Sequence, residues 1–336
     1  MEFIGKGTIS HLCQQITGNV LLFTQESVYN LFEKILCPQL ENVDVTLYTK
    51  ISSNPQREEI QTAQDILKNQ KFDSIIAFGG GSVIDFAKAF RFYEGRSVPL
   101  IAIPTTAGTG SQATQFAVVY FNGIKTSLDN SQLLPDIVIA DSCFVENAPV
   151  YVKACCAMDA YCQAIESFWA KKATEKSKEY ALQAVELCRD YLLKAVTTND
   201  VEANEKMTLA AHLAGKAINI SRTTAAHALS YKMTSKYNIP HGHAVALSIS
   251  GLFVAKYESV PDIDILLKTI RLSKLDIKAY FHSLMQKIGL EDDLVKLGIK
   301  DLDEIVDSVY LQRLENNPKN LSRDDLINIL KGSNFP

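Results

Sequence analysis

The sequence predicts an α/β domain built on a mostly parallel sheet, followed by an all-α domain. Three observations point there. The chain has 336 residues, more than one small core organises and about two domains at roughly 150 residues each. Up to Asp141, short apolar runs alternate with helical stretches. After Pro149 the strand signals fade and long apolar periodicities take over.

Each element has its own reason. Asn19–Phe23 is a short apolar run, the pattern of a strand buried on both faces. A helical stretch over Ser27–Leu36 precedes a second strand at Val43–Tyr48, and Gln56–Asn69 is helical. Ser74–Phe78 is another buried strand that runs straight into Gly79-Gly80-Gly81-Ser82, after which Val83–Phe90 reads as a helix. Leu100–Ile103 is a further strand, followed by Pro104. This rhythm gives a parallel sheet with helices on both faces. In the second half, Val152–Ala170, Lys176–Thr197, Val201–Ile220 and Ala226–Tyr237 have helical periodicity. Ile263–Leu330 continues as helices broken by Gly289, Gly298 and Asn317-Pro318. The domains are read as residues 1–146 and 147–336.

Composition narrows the function. Thirty-four basic residues against 38 acidic ones leave a net charge of −4, so no global basic field exists to hold nucleic acid or a membrane surface. A local basic pocket for a small anion stays open. No apolar run approaches the ~20 residues that cross a bilayer, and the stretch Met1–Leu12 lacks the apolar core of a secretion signal. Seven cysteines have apolar neighbours, as in Leu12-Cys13, Leu36-Cys37 and Leu187-Cys188. That predicts reduced core thiols in a cytoplasmic protein.

Two loops carry the ligand signal. Gly79-Gly80-Gly81-Ser82 joins a strand to a helix, where glycines admit a close backbone approach and the helix start offers free N–H groups. It is either a phosphate cradle or a tight turn. Pro104-Thr-Thr-Ala-Gly-Thr-Gly-Ser111 also follows a strand and offers hydroxyl and backbone donors where open α/β sheets bind ligands. Two such loops after successive strands predict nucleotide binding. In the helical half, Asp159 and Gln163 share a helix face, and His227 and His241 follow. An oxygen ligand with imidazoles suits Fe²⁺ or Zn²⁺. The alternative is a satisfied core histidine and a loop histidine.

The chain resembles the iron-containing (group III) alcohol dehydrogenases. The resemblance rests on GGGSVIDFAK (Gly79–Lys88), PTTAGTGSQAT (Pro104–Thr114), LLPDIVIAD (Leu133–Asp141), MDAYCQAIES (Met158–Ser167) and HALSYKMTSKYNIPHG (His227–Gly242), and it covers nearly the whole chain. It implies a dehydroquinate-synthase-like fold, with an N-terminal NAD(P)-binding domain and a helical metal- and substrate-binding domain. It implies NADH or NADPH held by Gln25, Gly79, Gly80, Gly81, Ser82, Asp85, Thr105, Thr106, Thr109 and Ser111. A divalent metal, Fe²⁺ or Zn²⁺, would be held by Asp159, His227 and His241, with Gln163 as a weaker fourth partner. A homodimer is the expected assembly.

Four departures matter. Gln163 stands where the family has a metal histidine, and Gln112 where it has a glutamate after GTGS. Tyr231 stands where it has a second histidine near the nicotinamide, so His243 and then Tyr231 are the expected proton relays. Gln25 is neutral where relatives carry an acidic ribose ligand, which leaves NADPH open.

Within the family the chain is similar to the phosphonoacetaldehyde reductases, through the runs just quoted, Arg222-Thr-Thr-Ala-Ala-His-Ala-Leu-Ser-Tyr231, Ile239–Leu247 and a hairpin at Gly123–Asp129. That implies reduction of phosphonoacetaldehyde to 2-hydroxyethylphosphonate in phosphonate biosynthesis. Arg222, Thr223, Thr224 and Lys125 would receive the phosphonate, since a guanidinium offers a fork of donors at fixed charge. The rival readings are a reductase of another small aldehyde or ketone, a lyase of the dehydroquinate-synthase kind, and an inactive dinucleotide-binding sensor.

Overall fold

The computed structural model describes residues 1–122, 124–309 and 314–333. The chain divides into two compact units, Met1–Asn147 and Ala148–Pro336.

The first unit runs β1 (Glu2–Ile4), β2 (Asn19–Phe23), α1 (Glu26–Leu36), β3 (Asp44–Tyr48), α2 (Arg57–Leu67), β4 (Ser74–Gly79), α3 (Gly81–Glu94), β5 (Leu100–Pro104), β6 (Phe116–Phe121), β7 (Ile124–Asp129), β8 (Ile137–Ala140) and α4 (Cys143–Glu146). Six strands form one parallel sheet in the order β1-β8-β5-β4-β2-β3. Strand alternation splits the apolar runs between two cores. Leu21, Phe23, Ile75, Ala77, Leu100 and Ala102 face α2 and α3. Val20, Leu22, Ile76, Phe78, Ile101 and Ile103 face α1 and α4. Runs without polar alternation are what two covered faces require. The β6–β7 pair is a separate antiparallel hairpin; Gly123, at the start of the predicted hairpin, lies outside the described residues.

The second unit is helical: α5 (Val150–Trp169), α6 (Glu175–Thr197), α7 (Val201–Ser221), α8 (Ala225–Tyr237), α9 (His241–Lys256), α10 (Ile263–Ile270), α11 (Ile277–Lys287), α12 (Leu302–Asp307) and α13 (Arg323–Ser333). From Lys153 to Trp169, every α5 residue except Cys156 is buried, so α5 is the axis on which α6, α7 and α9 pack. Asp200 caps α7 by accepting from the Ala203 amide at 2.8 Å, which satisfies one of the open N–H groups of that helix start. Gly289, two residues past α11, takes a positive φ of 75°, a conformation that ends a helix readily only at glycine; Gly298, at φ 82°, ends a turn between α11 and α12 instead.

The expectation of core thiols needs correction. Cys188 is buried, but Cys13 and Cys37 are exposed. Leu12 and Leu36 fill the core instead, and the residue next in a helix faces elsewhere. No described helix is long and apolar enough to cross a membrane.

Candidate active site

The connection from β2 leads to β3 on one side of the sheet, and the connection from β4 leads to β5 on the other. The carboxyl ends of β2 and β4 therefore flank a topological switch point, the place where doubly wound sheets take ligands. Gln25 follows β2 there, and its amide donates to the Ile51 carbonyl at 3.0 Å. Gly79 ends β4, where a β-carbon would stand 2.6 Å from Val83 Cγ2. Gly80 precedes α3 in extended conformation. Gly81 opens α3, where a β-carbon would meet Thr109 Oγ1 at 2.8 Å, so the two glycine-rich loops lie directly against each other. Gly80, Gly81, Ser82, Thr106 and Thr109 are partly exposed at this edge, whereas Thr105 is buried. The Ser82 hydroxyl donates to the Ser53 carbonyl.

Two residues expected at the cofactor serve the scaffold instead. Asp85 accepts from the Ser111 hydroxyl and from the Val118 amide at 3.0 Å. Lys88, fully buried on the same helix, donates to the carbonyls of Thr114 (2.8 Å) and Phe116 (2.7 Å) and to that of Ser111. Asp85 and Ser111 thus spend their polar atoms on pinning the threonine loop to α3. Burial draws the Lys88 ammonium down to about 8, against the upward pull of Asp85. Lys125 lies on β7 and acts electrostatically on Asp85.

In the second unit Asp159 (α5), His227 (α8) and His241 (the first residue of α9) converge. One ligand atom from each lies within 4.8 Å of the others, and Asp159 Oδ1 stands 3.4 Å from His227 Nε2. The predicted loop position of His241 is in fact a helix start, because Pro240 precedes it with φ −52° and ψ 141°. Gly242 lets that start lie flat on α5. Ser230 donates its proton to the His227 carbonyl at 2.8 Å. It therefore accepts from His241 Nδ1 at 3.2 Å, which leaves Nε2 of His241 as the lone-pair nitrogen.

His227 is held the same way. Its Nδ1 donates to Oε2 of the wholly buried Glu166. Glu166 Oε1 accepts from the Ala226 amide at 2.8 Å and from the Thr224 hydroxyl. Asp159 Oδ1 and His227 Nε2 are buried and make no hydrogen bond. Gln163, whose side chain bonds Asp159, keeps a further buried oxygen, Oε1, in the same condition. Orphaned buried polar atoms are costly, and a carboxylate facing two imidazole nitrogens is a cation's donor set once the proton is displaced. The residues present fit a divalent metal. Burial lowers the His227 imidazole, but with no cation between them Glu166 and Asp159 outweigh it and hold it at about 9, so a metal would bind by displacing the proton from Nε2. Burial also draws Lys256 down to about 7 against the pull of Glu166.

Two further expectations are corrected. His243 is buried and its ring is fully used: Nε2 donates to the Glu291 carbonyl at 2.6 Å, and Nδ1 accepts from the Tyr151 hydroxyl at 3.1 Å. It carries no proton relay. Thr224 gives its proton to Glu166 and accepts from Trp169 Nε1 at 3.0 Å and Lys256 Nζ at 3.4 Å. That saturates the hydroxyl, so it has nothing left for a phosphonate. Tyr231 stacks on His241 with centroids 6.3 Å apart and planes 16° from parallel.

Arg222 and Thr223 are half-buried. Arg222 has φ 66° and ψ 169°, a backbone region that is essentially glycine's. Asn316 supports the turn, donating to the carbonyls of Ser221 (2.8 Å) and Thr223 (3.0 Å). Glu166, Lys256 and Asn316 escaped the sequence reading. Each acts on a residue dozens of positions away, and no local pattern marks it.

Comparison with known proteins extends over both units. The family description "Iron-containing alcohol dehydrogenase" matches residues 2–142 and "Fe-containing alcohol dehydrogenase family, C-terminal" matches residues 153–334. An NAD-dependent methanol dehydrogenase of Bacillus methanolicus is 28% identical over 324 residues, covering 87% of this chain and 85% of the relative. A sulfoacetaldehyde reductase of Bilophila wadsworthia is 27% identical over 326 residues, covering 87% and 84%. The crystal structure of sulfoacetaldehyde reductase from Bifidobacterium kashiwanohense in complex with NAD+ matches with a TM-score of 0.89 at 26% identity, covering 99% of this chain and 96% of that one. The chain belongs to the iron-containing alcohol dehydrogenase family.

Proposed function

We propose that this enzyme uses NADH or NADPH to reduce a two-carbon aldehyde bearing a tetrahedral oxyanion, with phosphonoacetaldehyde as substrate and 2-hydroxyethylphosphonate as product. The observation that carries the oxidoreductase reading is the convergence of Asp159, His227 and His241 around buried atoms that lack hydrogen-bond partners. Asp159, His227 and His241 would hold a divalent metal, with Gln163 adding a weaker oxygen, and the loops around Gly80 and Thr106 would hold the dinucleotide's phosphates. When bound, the metal supplies a Lewis acid and the nicotinamide a hydride.

The chain's own residues do the rest. Two electrons arrive at the carbonyl carbon as hydride, and one proton must reach the oxygen. Tyr231 Oη is the group assigned to deliver it, since His243 is committed elsewhere and the Tyr231 ring lies against His241. Glu166 keeps the His227 proton on Nδ1, so that Nε2 faces Asp159.

The anion reading rests on Arg222. A residue in a glycine-only conformation costs about 1–3 kcal/mol, which a side chain with a task of its own offsets. A desolvated dianion needs fixed charge, and Arg222 lies five residues before His227 in the chain. The relatives named sulfoacetaldehyde reductase support the same class, because a sulfonate is also a tetrahedral oxyanion on an acetaldehyde.

The test follows NADH and NADPH absorbance on the Fe²⁺-loaded enzyme with phosphonoacetaldehyde, sulfoacetaldehyde and propionaldehyde. The highest kcat/KM is expected for phosphonoacetaldehyde. An advantage for the uncharged aldehyde would make it an ordinary alcohol dehydrogenase, and cofactor binding without turnover would make it a sensor.

A further inference from the structure

Lys256 ends α9 with a relative exposure of 0%, and nothing in hydride transfer calls for it. Its ammonium stands 4.3 Å from the centre of the Trp169 ring and 3.4 Å from Thr224 Oγ1. Thr224 passes its proton to Glu166 Oε1, and Glu166 Oε2 accepts from His227 Nδ1. Trp169 Nε1 donates to the same threonine oxygen at 3.0 Å. Every atom of this chain of contacts lies inside the protein, where electrostatic interactions are strong and poorly screened.

A buried lysine is costly unless a buried carboxylate balances it. Glu166 is the carboxylate whose charge acts on Lys256, and Lys256 in turn acts on Glu166. The same carboxylate orients the histidine whose other nitrogen faces Asp159. A carboxylate that holds a ligand histidine by its remote nitrogen fixes the tautomer and raises its donor strength, worth about 10–100-fold in metal affinity.

We propose that Lys256 and Glu166 are a positioning pair for the metal: Lys256 holds the Glu166 carboxylate in place through Thr224, and Glu166 presents His227 Nε2 to the cation. This rests on the metal reading above. Both residues are fully buried, and their contacts reach the proposed metal ligands only by way of His227.

The pair is separable from a packing role by a double-mutant cycle read on metal affinity. Metal-free wild type, Glu166→Gln, Lys256→Met and the double variant are titrated with Co²⁺, following its visible d–d absorption. Each single change is expected to weaken Co²⁺ binding by about 10-fold or more. The double variant should be no weaker than the worse single one, because the second change has nothing left to disturb. The double variant removes both buried charges together, so it remains foldable where a single change is not; comparison with Glu166→Gln then still reads the coupling. Lys256→Arg, which keeps the charge, should recover part of the affinity. Unchanged Co²⁺ affinity in Lys256→Met, or losses that add in the double variant, would overturn the proposal while leaving the metal reading intact. No Co²⁺ uptake by wild type would overturn both.

Discussion

Gly242 lies so close to Cys155 that a β-carbon on it would stand 2.0 Å from the Cys155 carbonyl oxygen and 2.8 Å from Asp159 Cβ. That contact seats the start of α9 on α5 and brings His241 beside Asp159. Gly242→Ala forces the two helices apart, because backbone cannot give way as a side-chain tip can. Overpacking of this kind costs about 1–3 kcal/mol. Metal analysis of the purified variant should find bound iron or zinc well below the wild-type ratio, with a lower Tm. Full metal content would show that the helices adjust without moving His241.

Arg222 gives a prediction in which stability and activity part ways. Arg222→Gly relieves the φ of 66°, so thermal unfolding should occur at the same or a higher Tm. On the proposed function the anion would lose its fixed charge, and loss of one partner of a buried charge pair costs ~2–5 kcal/mol. At about 1.4 kcal/mol per tenfold, kcat/KM for phosphonoacetaldehyde should fall roughly 30-fold or more, and much less for propionaldehyde. Equal losses on both substrates would assign Arg222 to the fold.

Gln163 occupies the same α5 face as Asp159, four residues on, and keeps its Oε1 without a hydrogen bond. A neutral amide oxygen holds Fe²⁺ or Zn²⁺ more weakly than imidazole does. Gln163→His should tighten metal binding by about tenfold or more, measured by competition with a chromophoric chelator. Weaker binding would mean that the pocket is shaped for the amide.

Lys88 supplies a pH signature in the first unit. Its ordinary value of 10.5 falls to about 8 in the fold, by burial. Below about 8 both folded and unfolded chains carry the proton. Between about 8 and 10.5 the unfolded chain holds more of it, so rising pH favours the folded state there. Lys88→Met lacks this contribution and also leaves the Thr114 and Phe116 carbonyls without their donor. The variant should be less stable throughout, and its deficit should widen as pH rises across that window. Denaturant unfolding at several pH values measures it; a constant deficit would mean that Lys88 titrates alike in both states.

Gly81 and Gly80 separate two uses of glycine at one loop. A β-carbon at Gly81 meets Thr109 at 2.8–2.9 Å, whereas one at Gly80 meets Thr106 no closer than 3.7 Å. Gly81→Ala should shift the threonine loop and weaken NADH binding by about tenfold, as a ~1.4 kcal/mol disturbance does. Gly80→Ala should fold normally, so any loss there reports a close ligand approach. Fluorescence titration with NADH distinguishes the two, and equal affinity in both variants and wild type would remove the loop from the cofactor site.

How much of this was legible depended on the range of the force involved. Ser74–Phe78 announces a strand because five residues are enough to show burial on both faces. Val201–Ile220 announces a helix because its periodicity repeats within a few turns. His241–Lys256 did not announce one, since a helix buried on nearly all sides shows no periodic face. The metal triad was legible only through the family's motif, because spacing alone left His227 open to a core reading.

The sequence by itself determined the alternating first half, the helical second half and the polar residue types available for chemistry. These follow from local periodicity, backbone preferences and side-chain identity, which neighbours along the chain largely settle. Only the tertiary structure decided which polar groups are already spent. Asp85 and Ser111 bond each other across 26 positions, Thr224 bonds Glu166 across 58 and His243 bonds Glu291 across 48, and Asn316 reaches back 95 residues to hold Ser221. A hydrogen bond needs its donor and acceptor within about 3 Å, and which distant residues come that close is set by how helices and strands pack, a matter on which the local sequence is silent.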